Sequence, residues 1–351
     1  MRYLILIFFC VLQLSANAYW TIDEYVEKNP EQKYYMQHFN KMVQGNAVPL
    51  TQTHKKVKIA LLYPGNQITD YWKRSQTSFE ARLQELHVNY EVIPVFVDEN
   101  DVKTMQQKLK ELLALKSDYL VFTLNIDGHK KLISQLITNK KPKLILQNIT
   151  TPLKQWGDTQ PFMYVGFDHV EGTKLLAKYY AKTLPKHSNY LMLYHNEGYI
   201  SQMRGDSFIH IFKDDYTLKG AYYTYVKKEL AKRIVKEYSG LDNISFIYNC
   251  STDIAVGASE ALEELGMKEK IMINGWGGGS LELQMIQEGK LDVTAMRMND
   301  DNGVAMAEAI KLDIMNKSVP TIYSGQFELV DKNSTKEEIE SFKQRAFRYS
   351  H

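Results

Sequence analysis

Short apolar runs alternate with amphipathic helical segments along most of the chain. The run K-I-A-L-L-Y, which begins at Lys58, precedes the helical pattern F-E-A-R-L-Q-E-L, and V-I-P-V-F-V precedes T-M-Q-Q-K-L-K-E-L-L-A-L. Apolar runs of this length are typical of buried parallel strands, and their regular alternation with helices indicates βαβ units. A second series of the same kind begins at residues 163–168. The pattern therefore predicts an α/β fold with two similar Rossmann-like lobes, each built on a parallel sheet.

The residues before this series have two other patterns. Residues 19–53 are polar with helical spacing and contain no strand pattern, so we expect an N-terminal helical extension packed on the outside. Residues 1–18 carry one positive charge, a short apolar core and the small-residue ending Ala16-Asn17-Ala18. These features are typical of a cleavable signal peptide, and the apolar core is too short to span a membrane. We therefore predict a soluble mature protein that is exported.

Polar and aromatic side chains lie at or directly after the ends of the later apolar runs. They lie between residues 251 and 298, and they are Ser251, Thr252, Asp253, Asn274, Trp276 and Arg297. In an open α/β sheet, ligands bind just outside the carboxyl ends of the strands. We therefore expect these side chains to converge on one cleft. Trp72, at the matching place after the first strand, is expected to form the opposite aromatic wall.

Charged residues in this region allow more than one interpretation. Arg204, in S-Q-M-R-G-D, is either a cleft residue or a surface group paired with Asp206. Arg297 ends an apolar strand, and a buried guanidinium needs an anionic partner or several acceptors. Asp253 lies at a helix start, where it is either an N-cap or a ligand acceptor, and these two roles are compatible.

The glycine-rich segment at residues 275–279 also allows two interpretations. Backbone N–H groups in such a turn bind phosphate in some proteins. The segment lacks the lysine of G-x-x-x-x-G-K-[ST] and does not match G-x-G-x-x-G. We therefore favour a strand-to-helix turn that allows the backbone to approach a ligand.

Composition excludes several classes of protein. The 351 residues include 43 Lys+Arg and 41 Asp+Glu, without the basic excess of a nucleic-acid binder. With Cys10 in the predicted signal peptide, Cys250 would be the only cysteine, which excludes an internal disulfide and favours a buried strand cysteine. The only acid/base pairs are His195 with Glu197 and Asp168 with His169, and no nucleophile or metal-binding motif accompanies them. The sequence thus predicts a protein that is not an enzyme, with no catalytic residue and no metal site.

Longer motifs resemble one known family. They are L-I-L-Q-N-I-T-T-P, Y-V-G-F-D-H, E-G-Y-I-S, C-S-T-D, I-M-I-N-G-W-G-G-G-S, M-R-M-N-D-D and K-R-A-F-R-Y-S. Together with the two-lobed pattern, they resemble the periplasmic binding protein type I superfamily, to which the ribose-binding proteins belong. Within it the chain is similar to the LuxP family of receptors for the quorum-sensing signal autoinducer-2. The resemblance covers essentially the whole mature chain.

The resemblance implies a ligand, a set of contacts and a partner. The ligand is autoinducer-2 as a furanosyl borate diester, so boron enters with the ligand and no cofactor is expected. The implied ligand contacts are Gln67, Thr69, Trp72, Asn148, Arg204, Ser251, Thr252, Asp253, Trp276 and Arg297. Position 69 is threonine where the family pattern has serine, so the hydroxyl remains while its methyl group alters close packing. The implied partner is the periplasmic domain of a LuxQ-type membrane hybrid sensor kinase.

The resemblance also implies how the chain is divided. Three crossovers form the hinge, near residues 166–167, 299–300 and 324–325. The N-terminal lobe would comprise residues 54–166 and 300–323, and the C-terminal lobe residues 167–299 and 324–351.

The charge of the cleft separates two candidate ligands. Two arginines and Asp253 sum to +1, which one borate anion would neutralise. A neutral pentose would leave +1 unless Asp168 or Asp300 also reaches the site. The alternative is therefore a pentose-type sugar-binding protein of an ABC transporter, and an exported hydrolase would need a nucleophile and base that the sequence lacks.

Overall fold

Two six-stranded sheets form the framework of the protein. A computed structural model describes residues 18–124, 129–139 and 141–351. The predicted signal peptide, apart from Ala18, and with it Cys10 therefore lie outside the described residues. The strands of the first sheet are β1 (Val57–Pro64), β2 (Tyr90–Val97), β3 (Tyr119–Thr123), β4 (Lys143–Gln147), β5 (Met163–Phe167) and β11 (Ile322–Gly325). The strands of the second sheet are β6 (Asn189–Tyr194), β7 (Thr217–Tyr223), β8 (Phe246–Asn249), β9 (Met272–Gly277), β10 (Val293–Arg297) and β12 (Phe327–Asp331).

Helices follow most strands, as the alternating pattern predicts. Those before the middle of the chain are α1 (Ile22–Lys28), α2 (Glu31–Gln44), α3 (Tyr71–Glu85), α4 (Val102–Ala114), α5 (Lys130–Asn139) and α6 (His169–Thr183). The later helices are α7 (Tyr199–Ser201), α8 (Ser207–Phe212), α9 (Lys228–Glu237), α10 (Thr252–Glu264), α11 (Ser280–Gln287), α12 (Asp300–Ile314) and α13 (Lys336–Ala346). A π-helical segment, Gln202–Asp206, joins α7 to α8. The prediction of two lobes with mostly parallel sheets is confirmed.

The sequences of the inner strands are continuous apolar runs because helices cover both faces of each sheet. In β1, Ile59 and Leu61 pack into one apolar cluster of the first lobe, while Ala60 and Leu62 pack into another on the opposite face. Phe39, on α2, is buried in the first of these clusters. The N-terminal segment therefore completes the outside of the first lobe.

The chain passes between the sheets three times. It leaves the first sheet after β5, returns after β10 through α12, and leaves again between β11 and β12. β5, at which the second series begins in the sequence, pairs with β4 and β11 and so belongs to the first sheet. β12 is antiparallel to β10 because the chain arrives from β11 directly, without the long crossover that a parallel strand requires.

One predicted strand is displaced. The apolar run at residues 221–226 indicates a strand there, but β7 covers Thr217–Tyr223. Tyr225 and Val226 have positive φ angles of 52° and 58°, which end the extended conformation.

Candidate ligand-binding cavity

The carboxyl ends of both sheets enclose one cavity of about 30 Å³. All ten residues predicted as ligand contacts line it, and Tyr71, His195 and Ile200 complete its wall. The strand ends therefore converge on one cavity, as expected. Asn274, which was expected to join them, does not line the cavity; it is buried and accepts a hydrogen bond from the Tyr180 hydroxyl.

Arg204 lies on the π-helical segment and is 4% exposed. Its Nη1 donates to the carbonyl oxygen of Cys250 at 2.7 Å, and its guanidinium carbon lies 3.8 Å from the centre of the Trp276 ring. The alternative pairing with Asp206 is wrong, because Asp206 accepts a hydrogen bond from the Tyr194 hydroxyl at 2.5 Å. π-Helical segments are frequent at functional sites, and here the segment carries the guanidinium into the cavity.

Arg297 enters the cavity from the end of β10 and is 5% exposed. Its guanidinium carbon lies 4.0 Å from the ring centre of Tyr71, which belongs to α3 of the opposite lobe. Its Nε has no hydrogen-bond partner among the described residues.

Neither guanidinium forms an ion pair within the described part of the chain, where the paired arginines are Arg74, Arg82, Arg345 and Arg348. Burial, together with the charge of Arg297, lowers the pKa of Arg204 to about 9, and burial also lowers the pKa of Arg297. The cavity thus holds two cations whose charges are disfavoured there. An anion between them would offset this cost.

His169 connects Arg204 to the other lobe. Its Nδ1 accepts from Arg204 Nε at 3.4 Å, and its Nε2 lies 3.0 Å from the carbonyl oxygen of Asn148, which follows β4. Burial and the charge of Arg204 lower the pKa of His169 well below its ordinary value, so the ring is neutral with its proton on Nε2. Asp168, its neighbour in the sequence, instead caps α6 by accepting from the backbone of Val170. These two residues are therefore not an acid/base pair.

Asp253 spans the cleft. Its Oδ1 accepts from the backbone N–H of Ile68 at 2.9 Å, while Ser251 occupies the N-cap position of α10. The interpretation of Asp253 as a helix cap is therefore wrong, and its carboxylate joins the lobes instead. Burial raises the pKa of Asp253 to about 6.

The first lobe contributes a hydrogen-bonded wall. Trp72 Nε1 donates to Gln67 Oε1 at 2.9 Å, and Gln67 Nε2 donates to Glu99 Oε1 at 3.0 Å. Thr69 Oγ1 accepts from the backbone N–H of Tyr71, the first residue of α3, at 3.4 Å, so the hydroxyl expected at this position is present and contacts the backbone.

The glycine-rich turn between β9 and α11 is filled by a carboxylate of the chain itself. Glu282 accepts from the N–H groups of Trp276 and Gly278 at 2.9 and 2.8 Å, and from the Thr294 hydroxyl at 2.6 Å. These donors are therefore not available to a phosphate, in agreement with the interpretation as a strand-to-helix turn. Gly277 has a φ of 129°, and a Cβ there would lie 2.5 Å from Arg297 Nη2.

Glu99 was missed by the sequence reasoning. It lies two residues beyond β2, and its side chain is fully buried behind Gln67. The rule applied to the other strand ends would have found it. Asp168 and Asp300, the two acids considered instead, do not line the cavity, and Asp300 accepts from the backbone of Tyr349 at 2.7 Å. The count of +1 thus omits a carboxylate that lies directly behind the cavity wall.

Other predicted features can be placed only in part. Cys250 directly follows β8 and is buried, and burial raises its pKa above the ordinary thiol value. Across the described residues, no group of three or more His, Cys, Asp or Glu side chains is arranged to hold a metal ion. Those residues also include no helix with the length and apolar character needed to cross a membrane.

Solved structures with this fold bind sugars or occur in complexes. A periplasmic solute binding protein of an ABC transporter from Actinobacillus succinogenes 130z, with bound D-allose, has a TM-score of 0.69 at 20% identity, covering 81% of this chain and 99% of that one. A carbohydrate transporter solute binding protein from Agrobacterium radiobacter, in complex with D-arabinose, has a TM-score of 0.70 at 15% identity, covering 83% and 99%. The XylFII–LytSN complex contains a chain with a TM-score of 0.68 at 16% identity, covering 80% and 100%.

The sequence also matches a family model. The model describes the periplasmic binding protein domain and covers residues 59–317. This family is a class of solute-binding proteins, so the prediction that the chain is not an enzyme is confirmed. The chain belongs to the periplasmic binding protein family, with the two-lobed type I architecture.

Proposed function

We propose that this protein is an exported periplasmic receptor that binds autoinducer-2 as its furanosyl borate diester. The observation that carries the proposal is the pair of buried guanidiniums, Arg204 and Arg297, which form no ion pair in the described chain and line the same cavity. A borate diester is an anion with several oxygen acceptors, which suits planar guanidinium donors. The flanking aromatic rings, Trp72 and Trp276, suit the apolar faces of a furanose.

Ligand entry requires the lobes to separate. Residues of both lobes enclose the cavity, and contacts such as Ile68 N to Asp253 Oδ1 join the lobes beside it. A ligand that touches both lobes favours the closed state because it binds that state more tightly than the open one. We propose that a LuxQ-type membrane sensor kinase reads this closure through its periplasmic domain. The XylFII–LytSN complex is a precedent for a protein of this fold in a complex with another protein.

A second candidate is a pentose-type sugar-binding protein of an ABC transporter. The solved structures with D-allose and D-arabinose support it more directly than they support a signalling receptor. Glu99, buried behind Gln67, also favours this candidate. It adds a second carboxylate, in addition to Asp253, and so brings the summed charge around the cavity closer to zero. A neutral sugar would then leave less uncompensated charge.

Boric acid distinguishes the two candidates. The protein is dialysed to remove bound ligand and titrated calorimetrically with autoinducer-2 and, separately, with D-ribose, each with and without boric acid. We expect binding of autoinducer-2 that requires boric acid, together with a tetrahedral borate signal in the boron NMR spectrum of the complex. Binding of D-ribose that does not change with boric acid would establish the second candidate instead.

A further inference from the structure

His195 lies on the cavity wall, although neither the strand-end pattern nor the family resemblance assigns it a role. It follows β6 directly and is 4% exposed. Its backbone is held in place because the carbonyl oxygen accepts from the Tyr225 N–H at 3.3 Å. The ring nitrogen Nδ1 is buried and has no hydrogen-bond partner among the described residues. Such an orphaned polar atom is costly unless something else satisfies it.

The other ring nitrogen faces a carboxylate of the opposite lobe. His195 Nε2 lies 3.5 Å from Glu99 Oε1, the oxygen that also accepts from Gln67 Nε2 at 3.0 Å and from Asn196 Nδ2 at 3.3 Å. A carboxylate surrounded by donors acts as an acceptor, so it favours the imidazole proton on Nε2. Burial and the charge of Arg204 lower the pKa of His195 to about 3, so the ring is neutral. Nδ1 then carries a lone pair and can only accept a hydrogen bond.

We propose that His195 is a ligand-contacting residue whose Nδ1 accepts a hydrogen bond from a ligand hydroxyl, and that Glu99 orients its ring for this contact. The inference rests on the proposed function in that the cavity receives a furanose-type ligand. It adds a requirement to the anion recognition by Arg204 and Arg297, because the ligand must present a hydroxyl donor at the His195 wall. The two arginines donate only, whereas His195 accepts, so an anion without a hydroxyl would leave His195 Nδ1 without a hydrogen bond.

The test compares substitutions that keep or remove the acceptor. In His195→Asn, the amide oxygen occupies the region of Nδ1, while His195→Leu removes both ring nitrogens. His210→Leu changes an exposed histidine on α8 and serves as the matched control. Each protein is titrated with autoinducer-2 plus boric acid and, separately, with D-ribose, D-allose and D-arabinose, after circular dichroism has checked its folding. We expect a loss of affinity of at least about tenfold for His195→Leu and of less than about threefold for His195→Asn, with no change for the control.

Ring ¹⁵N NMR of the unmutated protein supplies a measurement that does not depend on a variant folding. We expect the His195 signals to show a neutral ring protonated on Nε2 from pH 5 to 8, and the Nδ1 signal to shift when a bound ligand donates to it. Wild-type affinity in a folded His195→Leu protein, or an Nδ1 signal that a bound ligand does not move, would overturn the inference. If the protein binds one of the sugars and not autoinducer-2, the proposed function fails while the His195 comparison is completed with that sugar. If none of the four probes binds, both are overturned.

Discussion

Two kinds of buried arginine occur in this protein. Arg82 is 1% exposed and is satisfied by Glu308 at 2.7 Å, by the Tyr349 hydroxyl and by the carbonyl oxygens of Met42 and Gly45. It therefore joins α2, α3, α12 and the C-terminal segment in a structural role. Arg204 and Arg297 are buried to a similar degree but stack on aromatic rings and lack a carboxylate partner among the described residues. This difference supports the proposal that Arg204 and Arg297 bind the ligand.

Replacing Arg204 or Arg297 by Met is expected to weaken binding of the anionic ligand by about 2–5 kcal/mol, the usual effect of removing one partner of a buried charged pair. The ligand-free variants should melt at or above the wild-type temperature, because each charge is disfavoured in the cavity. Calorimetric titration and thermal denaturation measure the two effects, with the exposed Arg233→Met as the control. Normal affinity in both cavity variants would contradict the electrostatic argument.

Asp253 should make the stability of the ligand-free protein depend on pH. Burial raises its pKa from 3.8 to about 6, so the folded state binds this proton more tightly than the unfolded state. Its contribution is therefore complete below about pH 4 and is lost as the pH rises through 6, by at most about 3 kcal/mol. Burial raises the pKa of Asp301 to about 6 as well, so the total dependence is composite.

The contribution of Asp253 is isolated by comparison with Asp253→Asn. Urea unfolding of both proteins between pH 4 and 7.5 should show a decrease in the free energy of unfolding with rising pH that is steeper in the wild type. Parallel curves for the two proteins would mean that Asp253 has an ordinary pKa.

The turn between β9 and α11 depends on residues that are adjacent in space. Gly278 has a φ of 65°, and a Cβ there would lie 2.4 Å from the Cβ of Met296 on the neighbouring strand. Glu282, the first-turn acid of α11, then fills the turn from within. The glycines thus serve both the left-handed backbone and the close approach of β10, which carries Arg297.

Gly278→Ala is expected to destabilise the protein by more than Gly289→Ala. Both positions have a positive φ, but a Cβ at Gly289 meets nothing within 4 Å, so that variant carries backbone strain of only about 1 kcal/mol. The Gly278 variant adds a backbone clash and should lose about 1–3 kcal/mol more. Chemical denaturation of the two variants measures the difference, and equal losses would show that the turn relaxes freely.

Closure of the two lobes is held by polar contacts around the mouth of the cleft. Besides Ile68 and Asp253, the backbone N–H of Ser280 donates to Asp70 Oδ2 at 3.3 Å, and Arg74 Nη2 donates to Ser280 Oγ at 2.7 Å. A ligand that touches both lobes can shift the balance between the open and closed states because it binds the closed state more tightly. The message to a partner would then be the relative position of the lobes.

A disulfide between Asp70→Cys and Ser280→Cys should lock the lobes together. The oxidised double variant is expected to exclude added ligand and, in cells lacking autoinducer-2, to give the kinase output of the ligand-bound receptor. Its reduced form and each single-cysteine variant serve as controls, and the burial of Cys250 keeps that thiol from interfering. If the locked, empty receptor gives the output of the unliganded state, closure is not the signal.

Local patterns along the chain were sufficient to predict the α/β alternation and part of the wall of the cavity. A strand buried on both faces needs an unbroken apolar run, and its carboxyl end is where polar side chains emerge. Ser251, Thr252, Trp276 and Arg297 are recognisable for this reason, because each follows or ends such a run in the sequence. The family resemblance added Gln67, Thr69, Asn148 and Arg204 as ligand contacts, which no periodicity identifies.

Tertiary structure alone decided how these residues act, because their partners come from distant parts of the chain. Asp253 changes from a helix cap into a contact between lobes only when Ile68, 185 residues away, faces it. His169 becomes a neutral bridge because Arg204 and Asn148 meet at its two ring nitrogens. Glu99 and His195 lie on different lobes, and their contact exists only where the closed cleft brings β2 and β6 together. Contacts of this kind depend on how the two lobes pack together, and such packing produces no periodic pattern of residues in the sequence.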